Sequence, residues 1–480
     1  MPQSPVIVWF RRDLRLADHP ALDAAVASGR PIIPVHVHDT ELGGKWALGA
    51  ASRWWLAGSL RSLDEELQKR GSRLLLRSGD TAEALRALAK ECNAQAVYFT
   101  RGYEPFIRPF EASLKGALGE DGVECRRFGG HLLFEPEEVM NKSGEPFKVF
   151  TPYYKTCLAR ATPRQPRPAA TKLDAPAVWP ESDALEAWGL EPTKPDWAGG
   201  MRETWAPGER GAEARLNDFM KTIMRGYSDT RNLPDVSGTS RLSPYLAFGE
   251  VSPHQIWHAV CAASEAAPEG RKGAESYLRE LIWREFSYQL LFHHLHLPEA
   301  AFRPEFNAFP WTQNEQGLEA WRRGRTGYPI VDAGMRQLWE TGWMHNRVRM
   351  IVASFLIKHL LIDWREGKAW FWDTLVDADL ANNAASWQWV AGSGADAAPY
   401  FRIFNPTLQS EKFDAEGGYI RRFVPELTKL DSKTIHAPWL AAPAALARAG
   451  VRLGDTYPMP VVDHAKARAA ALAAYERVKK

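Results

Sequence analysis

A change of hydrophobic period near residue 208 constrains this chain most. Before residue 131, short apolar runs alternate with helical patterns; beyond Gly208 the helical period dominates and strand patterns nearly vanish. Residues 6–10, 32–37, 73–76, 96–100 and 123–128 read as strands. Residues 53–69 and 81–92 read as helices, the second capped by Asp80 or Thr81. That alternation predicts an α/β domain over residues 1–130, a doubly wound parallel sheet with helices on both faces. Residues 131–205 carry Pro163, Pro166, Pro168, Pro176, Pro180, Pro192 and Pro195 and read as an irregular interdomain linker, pinned by Trp179, Trp188 and Trp197. Residues 206–480 read as an all-α domain, with Ser243-Pro244 and Ser252-Pro253 as cap-plus-proline helix starts.

A chain of 480 residues has room for two cores. Sixty Lys and Arg against 58 Asp and Glu leave a net charge of +2, so any surface for an acidic polymer must be a local groove. Cys92, Cys125, Cys157 and Cys261 lie far apart and read as reduced thiols in a cytoplasmic protein. Apolar runs stay short of a membrane span, and no cleavable signal pattern precedes the first strand. The first strand leads into Arg11-Arg12-Asp13, not a Gly-x-Gly-x-x-Gly turn, which argues against an ordinary dinucleotide site there. His293, His294 and His296 lack acidic or Cys partners at useful spacing and read as a helix-end cluster, with no metal expected.

The chemistry concentrates in residues 377–406. Asp377, Asp379, Asn382 and Asn383 offer closely spaced donors and acceptors, Trp387 and Trp389 offer flat rings, and Ala391-Gly392-Ser393-Gly394 permit close backbone approach. Together they suit a pocket for an aromatic cofactor. Upstream, Gly238-Thr239-Ser240-Arg241-Leu242-Ser243 puts three hydroxyls and a cation at a helix start, a combination that suits a diphosphate.

These runs resemble the DNA photolyase/cryptochrome family, closest to bacterial cyclobutane pyrimidine dimer photolyases of class I or class III. The likeness starts at Val6-Ile7-Val8-Trp9-Phe10-Arg11-Arg12-Asp13-Leu14-Arg15. It continues through Glu280-Leu281-Ile282-Trp283-Arg284-Glu285, Gly327-Tyr328-Pro329-Ile330-Val331-Asp332 and Trp343-Met344-His345-Asn346-Arg347-Val348-Arg349-Met350. The resemblance implies that residues 206–480 bind FAD. Tyr227, Thr239, Ser240, Arg241, Leu242, Ser243, Tyr277, Glu280 and Arg284 would line one side of it; Arg349, Asp377, Ala378, Asp379 and Asn383 would line the other. Asn383 would face the flavin N5, and Tyr277 stands where relatives often carry Trp. Trp387, Trp364 and Trp311 match the family's three-Trp electron chain from flavin to surface.

The same resemblance implies a DNA lesion pocket of Glu280, Trp283, Asn346, Met350 and Trp389, with the two indoles stacking on extruded pyrimidines and Glu280 steadying the lesion. Arg231, Arg347, Arg402, Gln409 and Lys412 would touch the DNA backbone. The implied activity is light-driven repair of cyclobutane pyrimidine dimers by an electron from reduced FAD, with no membrane and no obligate protein partner. A blue-light photoreceptor and a single-strand-specific cryptochrome-like enzyme are the alternatives. His345-Asn346 argues against a (6-4) photolyase, which carries a His pair there. The sheet domain would hold a second, antenna chromophore, 5,10-methenyltetrahydrofolate ahead of an 8-hydroxy-deazaflavin; after Tyr103-Glu104-Pro105 the chain reads Phe106-Ile107-Arg108, unlike the family's best-known folate contact.

Overall fold

A computed structural model describes residues 3–160 and 162–478. Five strands, β1 (Val6–Trp9), β2 (Ile32–His38), β3 (Leu75–Ser78), β4 (Ala96–Thr100) and β5 (Glu124–Phe128), form one sheet in the order β3-β2-β1-β4-β5. All pairings are parallel; Val6 is opposite Ile32 on one side and Ala96 on the other. β1 lies centrally and is buried along its length. Its side chains alternate between two cores. Ile7 and Trp9 pack with Leu85, Leu88, Leu114 and Leu118 of helices α3 (Thr81–Glu91) and α4 (Ile107–Glu120). Val6 and Val8 face α1 (Pro20–Ala27) and α2 (Ala50–Gln68) in a core that continues into the helical domain as far as Leu281 and Ala384.

Element boundaries differ modestly from expectation. The third strand begins at Leu75, because pairing to β2 starts where Leu75 meets Val35, not at Arg73. Asp80 caps α3, its carboxylate accepting from the Glu83 N–H at 2.9 Å. Residues 131–205 are less irregular than expected. They contain the helix Phe150–Ala159, the turn Leu185–Trp188 and the short helix Gly199–Thr204. Trp188 stacks on His38 at 4.9 Å, and Arg73 lies over Trp179 at 4.8 Å. Ser252 caps Pro253–Ala266 in a reciprocal box with Gln255. Ser243 does not cap: it is the first residue of Ser243–Ala247, and Leu242 precedes it with no side-chain cap bond.

Arg11-Arg12-Asp13, which replaces a glycine-rich turn, joins the two domains. Arg12 donates to the carbonyls of Ala247 (2.9 Å) and Ala378 (2.7 Å), so one guanidinium from the sheet holds two backbone segments of the helical domain. Burial opposes charge on Asp13, but His19 at 2.8 Å and the bond from the Arg11 N–H help outweigh it, and the carboxyl stays well below its usual range.

Candidate functional site

The helical domain encloses a cavity of about 520 Å³ between the helices Arg271–His293, Asn346–Ser354 and Leu380–Ala391, closed by the segments around residues 239–247 and 375–379. Every residue expected to hold the cofactor lines it: Tyr227, Thr239, Ser240, Arg241, Leu242, Ser243, Tyr277, Glu280, Arg284, Arg349, Asp377, Ala378, Asp379 and Asn383. The wall also carries Asn382, whose amide the sequence placed among the pocket donors, and Trp343 and Phe371, to which the sequence gave no role in binding.

At one end sits Arg241. It adopts a left-handed backbone (φ 52°), its side chain lies over the Trp343 ring at 5.1 Å, and among the described residues no carboxylate pairs with it. Burial, with Arg215 and Arg422 nearby, lowers its pKa from the usual arginine value. An uncompensated, half-buried guanidinium calls for an anion. Around it, Tyr277 donates its hydroxyl to Ser240 Oγ at 3.1 Å, and Trp343 Nε1 donates to Ser243 Oγ at 3.3 Å. Both serines keep a hydroxyl hydrogen to offer.

Arg349, Asp377 and Asp379 share one side of the cavity, with an Arg–carboxylate pair there, and the two aspartates play separate parts. Arg349 Nη2 pairs with Asp377 Oδ2 at 2.8 Å, while its Nε donates to the Met344 carbonyl at 2.7 Å. Asp377 Oδ1 is buried without a partner. A buried acceptor left open costs about 1–3 kcal/mol, so it marks a place for a ligand donor. Asp379 instead caps Leu380–Ala391: Oδ1 accepts from the Asn382 N–H and side-chain amide at 2.7 and 2.8 Å. Its Oδ2 accepts from the Tyr288 hydroxyl. Tyr288 also meets His131 Nε2 at 2.8 Å, and Arg284 bonds the same nitrogen at 2.8 Å and the His131 carbonyl at 3.0 Å. Burial first, then Arg284, keeps His131 well below its usual pKa, so the ring is neutral. This Arg284–His131–Tyr288–Asp379 network runs from residue 131 to residue 379 and left no local signal in the sequence. Asn383 is nearly buried, and its Nδ2 donates to the Lys368 carbonyl at 3.1 Å. Only the amide NH₂ can donate there, so Oδ1 is the end left for a ligand.

Toward the mouth, Trp283 and Trp389 are half-buried and line the cavity with Glu280, Asn346 and Met350. Phe150 stacks on Trp283 with centroids 3.5 Å apart and planes 7° apart, so one indole face is covered by the former linker. Arg231 pairs with Glu280 at 2.7 Å and also lines the cavity. Arg347 lies outside the lining: its guanidinium bonds Asn232 Oδ1 at 2.8 Å and covers the Phe413 ring at 4.4 Å. Arg402 is exposed and Gln409 half-buried, both away from the cavity. His345 caps the Asn346–Ser354 helix; burial and the nearby Arg349 and Arg347 lower its pKa to about 4, so it is neutral.

Of the three relay candidates, only Trp387 lines the cavity. Its ring meets Phe371 at 5.0 Å and Trp321 at 6.2 Å. Trp364 is buried at the start of the neighbouring helix Trp364–Thr374. That helix approaches closely because residue 367 is Gly; a Cβ there would stand 2.1 Å from the Trp387 ring. Trp311 is half-buried in a loop, against Phe309 at 4.2 Å.

Comparison with known proteins bears on this arrangement. Residues 6–172 match the family model described as DNA photolyase, and residues 277–477 match the model described as FAD binding domain of DNA photolyase. The chain is 53% identical to the deoxyribodipyrimidine photo-lyase of Agrobacterium fabrum over 99% of this chain and 98% of the relative. Its identity to Cryptochrome-1 of Arabidopsis thaliana is 38%, over 96% of this chain and 69% of the relative. The crystal structure of a bacterial class III photolyase from Agrobacterium tumefaciens superposes with a TM-score of 0.96 at 52% identity, covering 100% of this chain and 98% of that one.

Proposed function

The chain belongs to the DNA photolyase family, and from that premise we propose that it is a deoxyribodipyrimidine photo-lyase that repairs cyclobutane pyrimidine dimers in DNA using light and FAD. The observation that carries this reading is one cavity with an unpaired cation at one end, an unpaired carboxylate oxygen in its wall and two indoles at its mouth. Those features fit FAD: the diphosphate offsets the Arg241 charge, and a ligand N–H or O–H satisfies Asp377 Oδ1. The greater identity to the Agrobacterium photo-lyase than to the plant cryptochrome favours an enzyme over a photoreceptor.

When bound and reduced, FAD supplies the electron that light sends to the dimer and that returns after the ring opens. The chain supplies position and electrostatics. Arg349, anchored by Met344 and Asp377, places a cation beside the cofactor and favours its anionic reduced form. Asn383, tied to the Lys368 carbonyl, presents a neutral acceptor that does not compete as an acid. The Arg284–His131–Tyr288–Asp379 network fixes the cavity wall. Glu280, held by Arg231, steadies the lesion, and Trp389 with the open face of Trp283 stacks on the extruded bases. Trp387, Trp364 and Trp311 carry electrons inward when the flavin must be reduced. Arg231, Arg347, Arg402 and Gln409 bind the flanking backbone. The antenna chromophore belongs to the sheet domain, with 5,10-methenyltetrahydrofolate ahead of a deazaflavin; the absorption spectrum of released cofactors decides between them.

The clamp is tested on Trp389, because Trp283→Ala would also strip packing from Phe150. Loss of one stacked base costs about 1–3 kcal/mol, so Trp389→Ala should weaken binding to dimer-containing DNA about tenfold to a hundredfold. Affinity for undamaged DNA should hold, because backbone charge sets it. Equal losses on both DNAs, with the flavin spectrum unchanged, would reduce Trp389 to a packing residue.

A further inference from the structure

Lys368 occupies a place that the repair reaction does not explain. It follows Trp364 by one helical turn and is 3% exposed. Its ammonium stands 4.2 Å from the ring centroid of Trp46, in the sheet domain, and 5.2 Å from that of Trp364. It donates to the Pro298 carbonyl, and its own carbonyl holds Asn383. The charged groups facing it are paired with one another: Lys45 with Glu299 at 2.5 Å, and Arg365 with Asp363 at 2.7 Å. Among the described residues, no carboxylate forms an ion pair with Lys368 itself. An unpaired buried ammonium between two indoles is costly unless its charge has a use or can be shed.

We propose that Lys368 gates electron flow through Trp364, slowing photoreduction of the flavin when it is charged and permitting it when it is neutral. The inference rests on the reading of Trp387 and Trp364 as the relay. In the gated step, Trp387, having given one electron to the light-excited flavin, takes one electron from Trp364. Trp364 becomes a radical cation, and no bond breaks. The hole then passes to Trp311 and to an external thiol, which loses one electron and releases its proton to water. A neutral indole attracts an ammonium over its ring. An indole radical cation repels it, and at 5.2 Å in a half-dry site that reversal shifts the electron equilibrium on the order of tenfold or more.

The environment makes the charge switchable near neutrality. Burial first, reinforced by Arg365 and Lys45 and opposed by Glu299 and Asp363, lowers the Lys368 pKa to about 7. Lys368 is therefore charged below that pH and neutral above it, so the gate opens as pH rises.

The test uses FAD-loaded protein with thiol present. Flash absorption reads the yield of long-lived tryptophan radical from pH 6 to pH 8.5. The wild-type yield should rise roughly tenfold across that range. Lys368→Gln, which can still donate to Pro298, should stay high throughout, and Lys368→Arg should stay low throughout. Independently of light, a ¹³C-lysine NMR resonance missing from Lys368→Gln should titrate with a midpoint near 7. Identical pH profiles for wild type and Lys368→Gln would overturn the gate. Should the Gln variant lose its flavin, equal yields for wild type and Lys368→Arg at pH 8.5 would overturn it equally. Trp364→Phe separates the two layers: wild-type photoreduction in that variant removes the relay reading itself, whereas lost photoreduction with unresponsive Lys368 variants removes only the gate.

Discussion

At the scale of single residues, the cavity divides labour among side chains that look alike in the sequence. Asp377 and Asp379 are two residues apart, yet one pairs with Arg349 and keeps a free oxygen, and the other is consumed by capping and by Tyr288. Spacing could mark both as pocket residues but could not separate them, because Tyr288 and Arg349 come from distant helices. The same holds for Trp283, whose motif is plain in the sequence while its stacking partner Phe150 lies in a segment read as irregular. Trp387 was legible, and its contact with the Gly367 turn explains why a small residue follows Trp364 at that distance. Trp387→Phe should retain FAD, since the phosphate and carboxylate contacts lie elsewhere, but should lose most photoreduction. Chemically pre-reduced variant should still repair dimers. Photoreduction at the wild-type rate would remove Trp387 from the electron path.

At the scale of elements, hydrophobic period located the strands and their parallel class, because β1, β2 and β4 are buried on both faces and read as apolar runs; β5, Glu124-Cys125-Arg126-Arg127-Phe128, is half exposed, and the order β3-β2-β1-β4-β5 had no signal in the sequence. In the sequence, Arg11-Arg12-Asp13 showed the absence of a phosphate turn and carried part of the family likeness. Its positive use, a clamp from Arg12 onto Ala247 and Ala378, depends on a contact 366 residues away in sequence. Ala378 lies between the two aspartates, so the clamp holds the backbone that presents Asp377. Arg12→Ala leaves both carbonyls without that donor, at about 1–3 kcal/mol for each that water cannot reach. The variant should therefore release flavin about tenfold or more readily, measured as free-flavin fluorescence on dilution. Unchanged flavin retention would show that the pocket backbone is held without the sheet domain.

At the scale of the whole molecule, the two domains share one continuous core, and the helical domain builds its cavity against the segment that the sheet clamps. A net charge of +2 gives no general attraction for DNA, so any surface for it must be local. Among the described residues no helix is long and apolar enough to cross a membrane. On the proposed reading, this cavity, loaded with reduced FAD, repairs cyclobutane dimers in DNA under light. The direct measurement counts dimers in a defined duplex after blue or near-UV illumination with the purified, reduced holoenzyme, beside a dark control. Dimers should be lost and pyrimidines restored only in the illuminated sample. Intact dimers in both samples, with bound FAD verified as reduced, would contradict that reading.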